Sequence, residues 1–279
     1  MAAMSTAPEH MTPAPTEPDA PAAARRFGRG DLQIHTSEGD GMEDARELFE
    51  RVELHGELDV IAITDHDDVA GALDAREIYA RSRYHFDLVT GIEVTTRSGH
   101  LLALWVDVPI PSFRSLEATV AAIHRAGGLA VVPHPFSALT RSVGRRALER
   151  VLAIEDPDTH PDGIELANPT SMGWDTGARA RHLNATQYHL AETGGSDAHF
   201  IEAVGNAYTL FPGRDGAALR QAILDRRTSG VLDRGTPLRE IGARRLVMQQ
   251  VRGLSVTPRK VLGPAAARLR DRFWKTDRA

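Results

Sequence analysis

The chain predicts an α/β fold built on a parallel sheet, open or closed into a barrel. Three observations carry that expectation. Short apolar runs of strand length recur, stretches with apolar residues at three-to-four spacing lie between them, and most runs meet a cluster of His, Asp or Glu at one end. No repeat of 20–50 residues is evident, and no internal linker divides the chain between Phe27 and Arg234, so one domain is the economical reading.

In order, strands are expected at Asp31–His35, Asp59–Thr64, Asp87–Val94, His100–Val106, Leu129–Pro133, Gly163–Ala167 and about Tyr188–Gly194. Helices are expected over Met42–His55, Ala70–Ser82, Ser115–Gly127 and Ala217–Gly230, where good helix formers carry the apolar spacing. Ser115 with Glu117 marks a helix start, and Gly127-Gly128 its stop. The stretches Ala138–His160 and Asn168–Arg181 read as long loops on the ligand-bearing rim, where α/β barrels place their functional variation.

The ends of the chain differ from its body. Residues 1–27, rich in Ala, Pro, Thr and Glu, lack the apolar segment of a secretory signal and read as a disordered leader. Residues 28–234 form the expected catalytic domain, and residues 235–279 a basic helical extension. Residues 239–279 carry eleven Arg or Lys against three acids, a net of +8; removing that from the total of −5 leaves −13 on residues 1–238. An acidic body argues against broad nucleic-acid binding, while the basic tail leaves an anionic partner open. Ile241, Leu246, Val247, Val251, Leu269 and Phe273 recur at helical spacing, so the extension is expected to dock through apolar residues and keep its arginines in solvent.

No run of about 18 apolar residues suggests a membrane span. The absence of cysteine removes disulfides, thiolate metal sites and cysteine nucleophiles together, and is compatible with the cytoplasm. Any metal must then rest on His, Asp and Glu, a donor set suited to zinc, manganese or iron.

The polar clusters supply that donor set. Gln33 and His35 are two apart on a strand and therefore share a face. An isolated Gln there would merely hydrogen-bond in a polar pocket, and an isolated Asp65-His66-Asp67 would be a solvated turn. The turn instead directly ends the apolar run Val60–Thr64, Glu93 follows a second run, and His134 ends a third between two prolines that stiffen its backbone. His100 begins another strand candidate. Asp197 and His199 alternate on one face after Gly194-Gly195-Ser196. Each cluster alone has a bland reading; their recurrence in one chain points to a multinuclear metal site.

The order Asp31-Leu-Gln-Ile-His35-Thr, then Asp40-Gly, Thr64-Asp-His-Asp67, Gly91-Ile-Glu93, His100, His134-Pro and Gly195-Ser-Asp-Ala-His199 resembles the PHP family, named for polymerase and histidinol phosphatase domains. The resemblance runs from about Asp31 to Gly230. It implies a distorted (β/α)7 barrel with two or three divalent ions at the C-terminal rim of the strands. One ion would be held by Gln33, His35, Glu93 and Asp197, a second by Asp40, His66 and His199, and a third by Glu93, His100 and His134. Gln33 departs from the pattern, standing where the family has its first His; a neutral amide is a weaker ligand than imidazole.

The expected activity is metal-dependent hydrolysis of a phosphoester on a small phosphorylated molecule or nucleotide, through metal-activated water and with inorganic phosphate as product. His66, His199 and Asp65 are candidates for proton handling, and Arg141, Arg145 and Arg146 for gripping a phosphate. Two alternatives stand beside it: hydrolysis of a carbamate, amide or ester on the same scaffold, and a metal-binding interaction module without turnover.

Overall fold

A computed structural model describes residues 26–137, 140–169, 176–235 and 238–254. The expected leader, apart from its last two residues, and the extension beyond residue 254 lie outside them. Among the described residues the strands and helices follow in the order β1 (Phe27–Ile34), α1 (Ala45–His55), β2 (Val60–Ile63), α2 (Ala70–Ala80), β3 (Asp87–Thr96), β4 (Gly99–Leu104), α3 (Leu116–Arg125), β5 (Leu129–Val132), α4 (Arg145–Leu152), β6 (Gly163–Ala167), α5 (Thr176–Leu183), β7 (Ala191–Gly194), β8 (Ala207–Pro212), α6 (Gly216–Leu224), β9 (Ser229–Leu232) and α7 (Leu238–Ile241). Residues 243–254 are also helical. No described helix is long and apolar enough to cross a membrane.

The strands form one sheet in the order β7-β6-β5-β4-β3-β2-β1-β8-β9. It curls into a nearly closed barrel. β1 makes the closure in two halves: its start, Phe27–Gly30, pairs antiparallel with β8, while His35 N–H donates to Ala198 O and Ala198 N–H to Gln33 O beyond β7. Lower on the same seam, Thr209 on β8 accepts the Gly194 N–H and donates its own hydroxyl to Gly194 O, both at 2.9 Å.

Several expectations are corrected. The sheet is mixed, because β4 runs antiparallel to both β3 and β5, and β8 and β9 add two further antiparallel strands. The helix expected to reach Gly230 stops at Leu224, and Ser229–Leu232 becomes β9. The last predicted strand begins at Ala191, because Asn184–Tyr188 forms a single π-helical turn. The two presumed loops contain helices: Arg145 and Arg146 open α4, and α5 occupies Thr176–Leu183.

Strand alternation sorts the core. Val60, Ala62, Leu102, Leu104, Leu129 and Val131 face the barrel interior, where Leu219 and Ile223 of α6 and Phe211 of β8 plug the lower end. Ile61 and Ile63 face outward onto Leu48, Phe49 and Ala72 of α1 and α2. β1 changes phase along its length, since its register with β2 shifts between Asp31 and Ile34. Leu32 consequently packs in the interior plug and Ile34 in the outer layer, which leaves Gln33 and His35 facing the upper interior. At the α1 end of the following loop, Asp44 and Glu47 form a reciprocal capping box, fixing where the segment carrying Asp40 rejoins regular structure.

Candidate metal centre

Glu93 is buried and central. Its Oε1 lies 2.7 Å from His100 Nδ1 and 3.1 Å from His134 Nε2; its Oε2 lies 3.2 Å from His35 Nε2 and 3.6 Å from His66 Nδ1. Gln33 Nε2 donates to the same Oε2 at 3.0 Å. Asp40 forms a second focus, with His199 Nε2 at 3.2 Å, His35 Nδ1 at 3.7 Å and His66 Nε2 at 3.9 Å. Asp197 Oδ1 stands 3.3 Å from His35 Nε2 and 3.7 Å from His199 Nδ1.

The reversal of β4 explains how these residues meet. A residue at the start of an antiparallel strand shares a rim with residues at the ends of its neighbours, so His100 joins Glu93 and His134. The backbone must also approach closely. A Cβ on Gly195 would lie 2.4 Å from Glu165 Oε1 and 3.0 Å from Gln33 Cβ, and one on Gly99, at φ +133°, would lie 2.3 Å from the Ser142 carbonyl carbon.

The donor set fits divalent cations. Gln33 Oε1, both ring nitrogens of His35, Asp40 Oδ1 and His66 Nδ1 are buried without a hydrogen-bond partner, a costly condition unless they serve a ligand. Two donors about 2.0–2.2 Å from a shared tetrahedral ion stand roughly 3.3–3.6 Å apart, close to the 3.2–3.9 Å gaps between these imidazoles and carboxylates. Three groups converge in this way: His35, Asp40, His66 and His199; His66, Glu93 and His100; and His35, Glu93 and Asp197.

Electrostatics keep the carboxylates ionised, as ligands must be, and divide the imidazoles. Burial pushes Glu93 up, but His100 and His66 outweigh it and hold it well below the usual carboxylate range. Asp40 is likewise raised by burial and lowered further by His199, His35 and His66. Asp197 is lowered against its burial chiefly by His35, whose Nε2 stands 3.3 Å from its Oδ1. His66 is driven down to about 4, mainly by burial, and is neutral as a ligand must be. His134 is raised to about 9, because the hydrogen bond and charge of Glu93 overcome burial.

The supporting residues were less visible in the sequence. Glu165 on β6 is buried, accepts the His134 N–H at 2.8 Å and an Asn168 amide N–H at 2.7 Å, and is raised to about 8 by burial. Its signal was a carboxylate on the inward-facing phase of the apolar run Gly163–Ala167. His134 Nδ1–H donates to Ser142 Oγ at 2.7 Å, and Thr140 Oγ1 lies 3.1 Å from the same nitrogen. Asp31 accepts N–H groups from Ser196 and Gly205, both at 2.9 Å, tying β1 to the segment that carries Asp197. Asp65 is not among the side chains whose donor atoms converge: its oxygens receive the Thr36 N–H at 2.8 Å and hydroxyl at 2.6 Å.

The three expected arginines separate. Arg141 accepts the His100 N–H through its carbonyl at 2.7 Å and lays its guanidinium 5.8 Å from the Phe113 ring centroid. Arg145 and Arg146 instead line a cleft of about 760 Å³ with Arg97, Arg150 and Arg179. The C-terminal helix also reaches the centre. Gln249 Nε2 donates to Asp40 Oδ2 at 3.3 Å, Arg252 donates to Ser37 O at 2.6 Å, and Arg245 pairs with Glu43 and Glu202.

The PHP-associated family matches residues 179–228. In sequence, the chain is 28% identical over 151 residues to an uncharacterized protein of Methanocaldococcus jannaschii, covering 50% of this chain and 81% of that one. It is 33% identical over 103 residues to the 5'-3' exoribonuclease Rnm of Salmonella typhimurium, covering 35% of this chain and 34% of that enzyme. In structure, it is similar to a two-domain protein of Bacteroides vulgatus containing a predicted PHP-like metal-dependent phosphoesterase. That likeness has a TM-score of 0.55 and 18% identity, over 74% of this chain and 65% of the other. The fold is of the PHP type. The chain spans most of the archaeal protein but only about a third of the exoribonuclease.

Proposed function

We propose that the protein is a cytoplasmic, metal-dependent phosphoesterase that releases inorganic phosphate from a small phosphorylated molecule or a nucleotide. The observation that carries this reading is Glu93, one buried carboxylate facing four imidazoles among donor atoms that lack other partners. The names of a phosphoesterase-containing structural neighbour and an exoribonuclease relative support the bond chosen.

In this reading Gln33 through Oε1, His35, Glu93 and Asp197 hold one ion of the zinc, manganese or iron type. Asp40, His66 and His199 hold a second, and Glu93, His100 and His134 a third. Bound ions would supply an acidified water and positive charge for the phosphoryl oxygens. Glu93, Asp40 and Asp197 fix those charges in place, and the buried walls keep the donors oriented. His66 and His199, 13% and 17% exposed where His35 is sealed, reach solvent and guide the proton to the leaving oxygen. Asp65, engaged with Thr36, positions the loop that leads to Asp40.

The test pairs metal analysis with phosphate release from mononucleotides and an aryl phosphate, alongside an ester and carbamate panel. Glu93→Gln is expected to lose bound metal and at least about 100-fold in kcat/KM. Gln33→His is expected to retain turnover and hold the first ion more tightly. Metal-replete protein that releases phosphate from no phosphoester would sink the proposal, and turnover of an ester or carbamate alone would move it to that bond.

A further inference from the structure

We infer that the arginine cleft beside the metal centre is a second phosphate-binding site, which holds a phosphate of the substrate other than the one hydrolysed. This rests on the phosphoesterase reading for the word substrate, but the cleft itself stands on separate residues.

Residues 1–238 carry a net −13, yet five arginines, Arg97, Arg145, Arg146, Arg150 and Arg179, line one cleft. The carboxylate in its lining, Glu149, is already taken by Arg145 at 2.6 Å. Arg97 spends its Nε on Phe113 O and Arg150 its Nε on Arg146 O, which leaves their forked ends available. Among the described residues, Arg97, Arg146, Arg150 and Arg179 form no ion pair. Five arginines against one paired carboxylate in the lining raise the local potential, and a polyanion relieves it. Arginine also matches phosphate oxygens through paired N–H bonds.

Backbone groups add to the same cleft. α4 begins at Arg145 after Gly144, whose N-cap position supplies no side-chain hydrogen bond; Ala147 N–H turns to Gly144 O at 3.0 Å, and the Arg145 and Arg146 N–H groups remain for a ligand. A Cβ on Gly144 would meet nothing within 4 Å, so the approach is open.

Placement ties the cleft to the metal centre. Arg97 precedes His100 by three residues, and Arg145 follows by three the Ser142 that holds His134. Three residues span at most about 11 Å, so the cleft begins within that reach of His100 and of the serine that holds His134. A substrate with one phosphate fills the metal site alone. A strand of linked nucleotides fills both, and the arginines position its backbone without reading its bases.

The experiment compares the wild type with Arg150→Glu/Arg179→Glu and the milder Arg150→Gln, changes at exposed positions checked by circular dichroism. Substrates are a mononucleotide and 5'-phosphorylated oligonucleotides of increasing length. Binding of a labelled phosphorothioate oligonucleotide is followed by anisotropy over a salt series. The double variant should keep mononucleotide turnover, raise KM for the longer substrates by at least about tenfold with little change in kcat, and flatten the salt slope by about 1.4. Equal losses on short and long substrates, or no change in KM and salt slope, would overturn the inference. So would a response of mononucleotide turnover to added inorganic phosphate that the variant abolishes without any length effect, because the cleft would then serve a free anion. If no phosphoester is hydrolysed but salt-dependent binding persists and falls in the variant, the catalytic reading fails and the cleft remains a phosphate site.

Discussion

At the scale of single residues, His134 shows how much the centre depends on neighbours that are not donors themselves. Its backbone sits at φ +29°, an uncomfortable conformation for a side-chain-bearing residue, and one hydroxyl restrains it twice. Ser142 accepts the ring Nδ1–H and donates to the His134 carbonyl, each at 2.7 Å, which turns Nε2 towards Glu93. Ser142→Ala should therefore weaken metal retention by roughly tenfold while moving Tm only slightly. Chelator competition monitored against thermal melting separates the two effects, and unchanged metal affinity would contradict the role. The chief donors were legible in the sequence because each occupies a strand end in a recurring pattern. Ser142 and Glu165 were not: a serine eight residues from the ring it orients leaves no periodic mark, and Glu165 lies within a short apolar run.

At the scale of elements, the C-terminal helix docks by the face that its pattern assigned to solvent. Arg245, Gln249 and Arg252 lie one helical turn apart and bond to Glu43, Glu202, Asp40 and the carbonyls of Ser37 and Gly39. Val247 and Val251 are 64% and 65% exposed, while Ile241 is buried as expected. Periodicity identifies an amphipathic helix but not the partner surface, and here that surface offers carboxylates and carbonyls. Arg252→Ala should raise amide exchange across residues 37–41 several-fold, corresponding to about 1 kcal/mol of local opening, without lowering global stability. Exchange mass spectrometry checks this; unchanged protection there would mean that the helix does not stiffen the Asp40 loop. The strands were legible from their apolar runs, but their directions were not. Direction depends on the connection, and the two residues between β3 and β4 permit only a hairpin, whereas the missed β8 and β9 pair antiparallel across a connection that carries α6.

At the scale of the whole molecule, the barrel depends on a seam closed by few bonds. Between β7 and β8, Thr209 supplies both halves of a bridge to Gly194, in a buried place without water to substitute. Thr209→Val keeps the shape, removes both bonds and leaves a buried N–H and C=O unpaired, a loss of about 2–3 kcal/mol. For a domain of this size Tm should fall by roughly 4–12 °C, and a melt that does not move would show the seam to be held elsewhere. The fold class was legible because α/β alternation follows from local sequence, whereas closure arises from contacts between residues 194 and 209 that no short window contains. The reversal of β4 has one more consequence. It places the two-residue turn Arg97-Ser98 on the working rim, where a parallel strand would have brought a crossover helix. That turn is a party wall, with His100 on one side and the arginine cleft on the other. Lengthening it would displace both tenants at once, so new substrate reach on this scaffold has to evolve through the connections after β5 and β6, leaving this wall fixed.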